Sequence, residues 1–395
     1  MSATNLGHIT LAAYTHPELY PPVLAAVEQL ESHTSGITIL TRRMLESRWT
    51  YPSNVTLHYV NDEPYKGFEI EQISVSKKIR HFLRFVKQLK ALLKAKQSKV
   101  LMVHDVIPLF AAYILRHFLK RRGIKIWYHN HDVTDISKAG TYSLMGIAAR
   151  FEDKAFAYID CFSLPAKERL HHFPIERLKN EPIILPNYPL RRFYNSAQPS
   201  SSIKGNIKLV YQGSIGPGHG LETLVLLLGH EINGQKVELH LVGKMRPAYK
   251  AQLSKLALEH KVEDYLMIHG MQPFSTLPLY LSQFDIGLAI HEPYNVTYAT
   301  GGSASNKIYE YAACGLPVIL YDNPHYKEYL EARDWTFFTE ITVKSLKTTI
   351  VKIQKDFASA AKAAREDFEQ HYNFETMFGT KLPQISKQLG ELSHD

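Results

Sequence analysis

The sequence predicts an α/β fold made of two doubly wound, Rossmann-like domains. Short apolar runs alternate with helical patterns along the chain, and this alternation is typical of a parallel sheet with helices on both faces. The chain has 395 residues, which exceeds one ordinary core and favours two domains. The polar segment YNSAQPSSSIKGN at 194–206 is the predicted linker, so we expect one domain over 1–195 and another over 203–370.

Each element of the first half follows from its local pattern. Apolar runs predict strands at HITLAAY (8–14), GITIL (36–40), VTLHYV (55–60), VLMVHDV (100–106), IKIWYHNHD (124–132), IDCFSLP (159–165) and EPIILPNYP (181–189). Helical periodicity predicts helices at 21–33, 76–97, 110–123 and 144–157. Gly123 suits the end of the third helix, because glycine readily adopts the left-handed conformation found there.

The same alternation starts again after the linker. Strands are predicted at IKLVYQG (207–213), VELHLVG (237–243), LMIHG (266–270), IGLAIH (286–291) and LPVILYD (316–322). Two long amphipathic segments, 343–369 and 373–391, predict the last helices.

Composition and charge limit the class of protein. No apolar run reaches the roughly 18–20 residues of a membrane-spanning helix, and no basic flank precedes the first apolar run, as a signal peptide requires. The two cysteines, Cys161 and Cys314, lie in apolar stretches, which indicates reduced thiols in a cytoplasmic protein. Residues 1–200 hold 27 Lys and Arg against 17 Asp and Glu, so their charge of +10 predicts an anionic partner.

Three loops of the second half follow predicted strands, where doubly wound domains bind ligands. The first, GSIGPGHG at 213–220, has four glycines that let backbone N–H groups approach an anion. It matches neither the dinucleotide fingerprint nor the Walker pattern. We predict anion contacts from this loop, with a plain flexible turn as the alternative; the residues concerned are Gly213, Ser214, His219 and Gly220.

The second loop, within GGSASNKIYEYAACG at 301–315, leads into a short helix. Gly301, Gly302 and Ser303 can leave N–H groups free at the helix start, where the helix dipole attracts a diphosphate. Lys307 adds a cation, and Glu310 shares its face one turn later. A carboxylate there suits paired ribose hydroxyls, and the alternative is a solvated Lys–Glu pair. The third loop, 269–285, offers backbone groups near Met271 to a base edge.

The segments LHLVGK (239–244), IHGMQPFSTLPLYLSQFDIGLAI (268–290) and SNKIYEYAACGLPVIL (305–320) occur in an order that carries a resemblance. They are similar to the C-terminal half of nucleotide-sugar glycosyltransferases of the GT-B fold, nearest the family 4, bacterial group 1 type. HNHD (129–132) and ILPNYP (184–189) resemble landmarks of its first half. The resemblance implies two domains facing a cleft, with a C-terminal helix in 371–395 that returns to the first domain.

The resemblance also implies the roles of individual residues. Glu310 is expected to bind the donor ribose, and Met271 is expected to lie beside the base. The residues expected around the diphosphate are Gly213, Ser214, His219, Gly220, Gly301, Gly302, Ser303, Asn306 and Lys307.

Two departures from the family pattern alter this expectation. Family 4 enzymes carry a glutamate eight residues before the position of Glu310, where this chain has Gly302. The family's Arg and Lys at the first glycine loop correspond to Ser214 and His219. Lys307 and backbone donors are therefore expected to stabilise more of the leaving group. His219 would help if protonated, and the alternative is an exposed loop histidine.

The segment HNHD provides the catalytic candidates. No Asp-x-Asp pair and no His or Cys cluster at ligand spacing accompanies it, so we expect neither a metal nor another cofactor. We predict that His131 lies near the acceptor or the donor sugar. Asp132 is predicted to orient His131 or to act as a base on the acceptor hydroxyl.

The helix predicted within 76–99 is strongly basic. Residues 72–104 contain nine Lys and Arg and no carboxylate. The predicted packed face is Ile79, Phe82, Leu83, Val86, Leu89 and Leu93. Lys87, Lys90 and Lys94 are predicted to contact anionic lipid, with an ordinary surface helix as the alternative. Nucleic acid is not expected, because no recognised nucleic-acid motif accompanies the charge.

The resemblance implies a metal-independent hexosyltransferase. It would use a nucleotide sugar and a glycan or lipid-linked acceptor in the synthesis of cell-surface polysaccharide or lipopolysaccharide. The expected location is the cytoplasm, peripheral on the inner face of the plasma membrane. Two alternatives stay open: a nucleotide-sugar 2-epimerase on the same fold, and a non-catalytic subunit that binds sugar nucleotide or glycan.

Overall fold

The chain forms two compact units in the computed structural model, which describes residues 5–47, 49–64, 73–134, 140 and 142–390. Unit 1 combines Met1–Pro186 with Met377–Asp395, and unit 2 is Asn187–Thr376. The predicted linker 194–206 therefore lies inside unit 2, and the end of the chain groups with unit 1.

Unit 1 is built on a sheet of seven parallel strands. They are β1 (His8–Ala13), β2 (Gly36–Thr41), β3 (Val55–Tyr59), β4 (Val100–His104), β5 (Lys125–His129), β6 (Cys161–Leu164) and β7 (Ile183–Ile184). Their order is β3-β2-β1-β4-β5-β6-β7, which reverses between β1 and β4. The residues of β2 and β4 are buried throughout, as expected for central strands of a parallel sheet.

The helices of unit 1 lie close to their predicted positions. They are α1 (Pro21–Leu30), α2 (Val75–Ala95), α3 (Val106–Arg121) and α4 (Leu144–Ala155). Helix α2 buries Phe82, Phe85, Leu89 and Leu93. Placing Ile79 and Leu83 on this packed face was wrong, because they are 46% and 60% exposed. Phe85, which contacts Tyr14 edge-on at 5.3 Å, faces the interior instead.

Unit 2 also has a parallel sheet whose order reverses. Its strands are β8 (Ile207–Ile215), β9 (Glu231–Ile232), β10 (Gln235–Met245), β11 (Leu266–Gly270), β12 (Ile286–Ala289), β13 (Val318–Tyr321) and β14 (Thr336–Thr339). The parallel strands follow the order β11-β10-β8-β12-β13-β14, and the short β9 pairs antiparallel with β10. The reversal falls between β8 and β12.

The remaining helices connect these strands and end the chain. They are α5 (Leu221–Leu227), α6 (Pro247–Glu259), α7 (Leu277–Leu281), α8 (Val296–Ala299), α9 (Gly301–Ala304), α10 (Asn306–Ala313), α11 (Pro324–Leu330), α12 (Val343–Gln370) and α13 (Phe374–Leu389). No helix in the described part of the chain is both long and apolar enough to cross a bilayer.

Candidate functional site

The reversal of strand order in unit 2 brings four side chains together near the carboxyl ends of β8 and β12. Tyr211 lies on β8, and His219 lies in the glycine loop that follows it. His291 comes two residues after β12, and Lys307 lies in the first turn of α10. Doubly wound domains bind their ligands at this position.

The hydroxyl of Tyr211 is the centre of this cluster. It lies 2.8 Å from His219 Nδ1 and 2.8 Å from His291 Nε2, and Lys307 Nζ donates to it at 2.7 Å. Lys307 Nζ is also 3.0 Å from His291 Nε2 and 3.9 Å from the centre of the Tyr211 ring. Two other segments of unit 2, β8 and the stretch after β12, therefore contact the lysine amine directly, and the glycine loop contacts it through Tyr211.

Both histidines of the cluster are buried and neutral. His219 Nε2 lies 3.0 Å from the Tyr298 hydroxyl, and the Gly216 N–H lies 3.3 Å from its Nδ1. Burial, reinforced by Lys307, lowers the pKa of His219 to about 3 and holds the pKa of His291 well below its ordinary value. Neither proposed state of His219, exposed or protonated, agrees with this environment. Lys307 is thus the cation of this cluster.

Glu310 lies one helical turn after Lys307 and is only 1% exposed. Its Oε2 atom has no hydrogen-bond partner among the described residues. Burial raises the pKa of Glu310 to about 7, although Lys307 and Tyr194 act in the opposite direction. Burial likewise lowers the pKa of Lys307 to about 7, against the influence of Glu310. A solvated Lys–Glu pair is excluded, and an unpaired buried acceptor marks a place for a ligand's donor group.

The glycines before this helix do not form the predicted open nest. Gly301 and Gly302 belong to α9, which ends before α10 begins at Asn306. The Gly302 N–H donates to His325 Nδ1 at 3.0 Å, so it is not free for a phosphate. The hydroxyl of Ser303 is buried without a partner in the described structure. The glycines allow α11 to approach closely, which the sequence pattern did not reveal.

Replacing Gly302 by alanine is expected to destabilise the protein by about 1–3 kcal/mol. A Cβ atom there would lie 2.6 Å from His325 Nδ1 and 2.9 Å from the His325 carbonyl oxygen. Thermal denaturation measures the effect, with Gly379→Ala as the control because nothing lies within 4 Å of its added Cβ. An unchanged melting temperature for Gly302→Ala would contradict the close packing of α9 against α11.

The first glycine loop is shorter than its sequence suggests. Gly213 and Ser214 still belong to β8, so the turn itself spans 216–220. Gly218, with a φ of 79°, packs so closely against the ring of Tyr294 that a Cβ atom added to it would lie 2.5 Å from that ring. Gly220 adopts the left-handed conformation directly before α5. Met271 follows β11 with its side chain exposed.

Three buried histidines meet in unit 1 where β4 and β5 end. His104 ends β4, His129 ends β5, and His131 follows two residues later. The ring centre of His131 lies 4.3 Å from that of His129 and 5.1 Å from that of His104. Both ring nitrogens of His104 and of His131 lack hydrogen-bond partners within the described residues. Burial, reinforced by His131, lowers the pKa of His104 to about 3.

The carboxylate beside His131 is Asp105, which was not among the predicted site residues. Its Oδ1 accepts a hydrogen bond from the His131 backbone N–H at 2.9 Å and lies 3.7 Å from His131 Nδ1. Burial acts to raise the pKa of Asp105, but His131 outweighs this and the pKa is lowered. Asp105 has φ 64° and ψ 177°, a strained backbone conformation found mainly at functional sites. The sequence feature that could have indicated Asp105 is the His-Asp pair at 104–105, at the end of an apolar strand.

Asp132 contacts other groups. Its carboxylate accepts a hydrogen bond from the Tyr20 hydroxyl at 3.1 Å and lies 3.8 Å from Arg169. Arg169 also donates to the backbone oxygen of His131. The structure thus places Asp105 rather than Asp132 against the His131 ring, and the base role of Asp132 stays a prediction. Across the described ranges, no three His, Cys, Asp or Glu side chains are grouped to hold a metal ion.

Residues 195–369 match the sequence model of the family described as glycosyl transferases group 1. The chain carries a group 1 glycosyl transferase domain. This glycosyl transferase domain contains Tyr211, Lys307 and Glu310, and it confirms the resemblance inferred from the sequence. The narrower likeness to family 4 stays a prediction. No curated protein sequence matches the chain significantly.

Solved structures share the fold of almost the whole chain. A sucrose-phosphate synthase from Thermosynechococcus elongatus has a TM-score of 0.70 at 14% identity, over 97% of this chain and 99% of that chain. Anabaena HepE in complex with UDP and glucose has a TM-score of 0.66 at 12% identity, over 95% and 99%. The apo lipopolysaccharide outer core galactosyltransferase WaaB has 0.58 at 12%, over 96% and 99%. The predicted GT-B fold is confirmed, and residues 195–369 belong to the group 1 glycosyl transferase family.

Proposed function

We propose that this glycosyltransferase moves a hexose from a nucleotide sugar to a glycan or lipid-linked acceptor in the synthesis of cell-surface polysaccharide or lipopolysaccharide. The observation that carries the donor assignment is Glu310, a buried carboxylate with an unpartnered oxygen on the same helix face as Lys307. A carboxylate accepts two neighbouring hydroxyl donors, which is what a ribose presents. An amine one turn away suits the diphosphate attached to that ribose.

Gly302 and His219, which were predicted to contact the diphosphate of the nucleotide sugar, have a smaller role in this proposal. Gly302 already donates its N–H to His325, and His219 is neutral. Lys307 therefore supplies the main positive charge for the leaving group. A similar fold in structures described as complexes with UDP and with UDP-glucose supports a nucleotide-sugar donor.

The acceptor chemistry is assigned to unit 1. Asp105 and His131 lie at the carboxyl ends of β4 and β5, next to the reversal of strand order. A carboxylate with a lowered pKa is ionised near neutral pH and can take a proton from an acceptor hydroxyl. We assign this role to Asp105, with His131 beside it, and keep Asp132 as the competing candidate. No step of this proposal uses a metal or another cofactor.

The outer face of α2 supports a peripheral location on an anionic membrane. Val75, Ile79 and Leu83 form an exposed apolar row along the helix, and Lys87 continues that row. Lys90 and Lys94 are also exposed on the following turns. Apolar side chains flanked by lysines suit insertion between anionic headgroups, where each cation contributes about 1 kcal/mol. We propose the cytoplasmic face of the membrane as the site of action.

Neutralising this helix should reduce binding to anionic vesicles. The variant carries Lys87→Gln, Lys90→Gln and Lys94→Gln, and we expect about a 10- to 100-fold loss of vesicle affinity from the lost charge. Sedimentation with vesicles of phosphatidylcholine and phosphatidylglycerol measures it. The matched control changes three exposed lysines of α12, Lys344, Lys352 and Lys355, to glutamine. Equal loss in both variants, or none in the first, would make α2 an ordinary surface helix.

Binding without transfer is a second candidate function, and one observation favours it. Gly302 occupies the place of the family's sugar-binding glutamate, and His325 fills the space beside it. A site that lacks this contact fits a subunit that holds a sugar nucleotide without using it.

A nucleotide panel followed by product analysis separates the candidates. Thermal shift is measured with UDP, GDP, ADP, dTDP, CMP and their sugar conjugates, because a ligand that binds the folded state raises the melting temperature. The best conjugate is then incubated with and without membrane lipid extract. Transfer to extract supports the proposal, binding without turnover supports the second candidate, and turnover to an epimer without extract indicates the 2-epimerase. No shift with any nucleotide would contradict the donor site.

A further inference from the structure

Lys307 and Glu310 lie on one face of α10. The amine of Lys307 has no ion-pair partner and the carboxyl of Glu310 has an oxygen without a hydrogen bond, within the described residues. The Lys307 amine contacts a tyrosine hydroxyl and an imidazole, and no carboxylate lies within ion-pair distance of it in the described part of the chain. Glu310 has an unpartnered oxygen and is buried. Without a ligand, therefore, no ion pair holds Lys307 or Glu310 in its ionised form.

The groups facing this pair do not supply a fixed charge near neutral pH. Lys307 is faced by Tyr211 from β8, His219 from the glycine loop and His291 after β12. Glu310 is faced by Tyr194, Tyr311 and Cys314 in addition to Lys307, and burial raises the pKa of each of these three groups. Both histidines are held neutral by burial. Only Lys307 and Glu310 are left to respond to a ligand.

We propose that donor binding moves one proton between this site and solvent: onto the Lys307 amine above neutral pH, and off the Glu310 carboxyl below it. The inference rests on the proposed donor site and adds its coupling to protons. A diphosphate stabilises the ammonium form of Lys307 through its negative charge. Paired ribose hydroxyls stabilise the carboxylate form of Glu310, because an ionised carboxylate accepts at both oxygens. The bound site thus contains one ammonium and one carboxylate.

The direction of the proton exchange follows from the pKa of each group in the empty site. Both pKa values lie at about 7, so at higher pH Lys307 is largely neutral and Glu310 is already ionised. Binding then takes up a proton, and affinity falls as the pH rises. At lower pH Lys307 is already charged and Glu310 is protonated, so binding releases a proton and affinity falls as the pH drops. Affinity peaks near neutrality and declines by up to about tenfold per pH unit on either side.

Calorimetry with UDP-glucose tests this directly on the unmodified protein. The diphosphate of UDP-glucose does not titrate near neutral pH, so proton exchange reports on the protein. Titrations at about pH 6 and about pH 8, each in two non-phosphate buffers of different ionisation enthalpy, give the number of protons exchanged. We expect release at the lower pH and uptake at the higher pH. If UDP-glucose does not bind, ADP-glucose and GDP-mannose are used in the same way.

Two variants assign the proton to its residue. Lys307→Arg keeps a charge that cannot be lost, so uptake at the higher pH should disappear while release at the lower pH remains. Glu310→Gln should abolish release at the lower pH. Lys327→Arg is the control, because Lys327 is paired with Asp322 at 2.6 Å on the neighbouring α11. It should exchange protons as the unmodified protein does.

The outcomes separate this inference from the proposed function. Binding with no proton exchange at either pH would overturn the coupling and leave the donor site standing. Exchange of the same sign at both pH values would also overturn it, because one of the two groups would then be silent. Failure of these three nucleotide sugars, and of the dTDP and CMP conjugates of the panel, to bind near neutral pH would overturn the donor site and this inference with it.

Discussion

Replacing Glu310 by glutamine is expected to weaken nucleotide-sugar binding by about 10- to 100-fold at neutral pH. Hydrogen bonds to a charged group contribute about 1.5–3 kcal/mol, and glutamine retains the size of the side chain while losing its charge. One of its two terminal atoms becomes a donor, so it can no longer offer a separate acceptor oxygen to each ribose hydroxyl. The Oε2 atom of Glu310 has no hydrogen-bond partner among the described residues, so it is available to a donor group of the ligand.

The unfolding temperature of Glu310→Gln shows whether a loss of donor affinity comes from a destabilised protein. Burial raises the pKa of Glu310 from its ordinary 4.5 to about 7, so the empty folded protein loses stability as the pH rises through that interval and has lost this contribution above neutrality. Glu310→Gln should therefore unfold at the same or a higher temperature than the unmodified protein without ligand. The control is Glu259→Gln, an exposed residue that pairs with Lys255 at 3.7 Å. Unchanged donor affinity in Glu310→Gln would remove the ribose assignment.

The fold was predictable from the sequence because its strands are short, apolar and buried on both faces. LMIHG at 266–270 coincides with β11, and the other predicted strands overlap their observed positions. Strands β9 and β14 were missed. The first has only two residues, and the second, TFFT, has only two apolar residues, so neither gives an apolar run in the sequence. Misplacing Ile79 and Leu83 had another cause: helical spacing identifies an apolar face but not the part of it that finds a partner.

The site was predictable only where residues are neighbours in sequence. The spacing of Lys307 and Glu310 placed both on one face of a helix, and the structure has them on α10. Their surroundings come from β8, from the glycine loop and from the segment after β12, which no local pattern connects. The burial of His219 and its contact with Tyr298 therefore appear only in three dimensions. Gly302 was misjudged for the same reason, because His325 is 23 residues away in sequence.

Polar residues at the end of a single predicted strand identified some of the catalytic candidates and missed Asp105. HNHD drew attention to His131 and Asp132, whereas Asp105 was read as the end of an apolar strand. Its unusual φ and its bond to His131 depend on the neighbouring strand β5. Asp105 can be recognised as the carboxylate beside His131 only when VLMVHD and IKIWYHNHD are known to be neighbouring strands.

Asp105→Asn is expected to slow glycosyl transfer by about 100- to 10,000-fold, the range for loss of a positioned general base. Asparagine keeps the shape of the side chain but cannot take a proton from an acceptor hydroxyl. Asp105 is suited to this role because His131 lowers its pKa, while its side chain is 37% exposed and so can meet an acceptor. Donor affinity should be unchanged, because the donor residues lie in unit 2. The measurement compares kcat for transfer with the dissociation constant of the nucleotide sugar.

Asp132→Asn is the matched control, since it makes the same change 27 residues later at a carboxylate that is 56% exposed. Asp132 is tied to Tyr20 and Arg169 rather than to the His131 ring, so its loss should reduce transfer by less than about tenfold. The ranking of the two variants is the decisive result. A larger effect at Asp132 would return the base to the residue that the sequence first indicated. It would also mean that Asp105 orients His131 and does not itself take the proton of the acceptor hydroxyl.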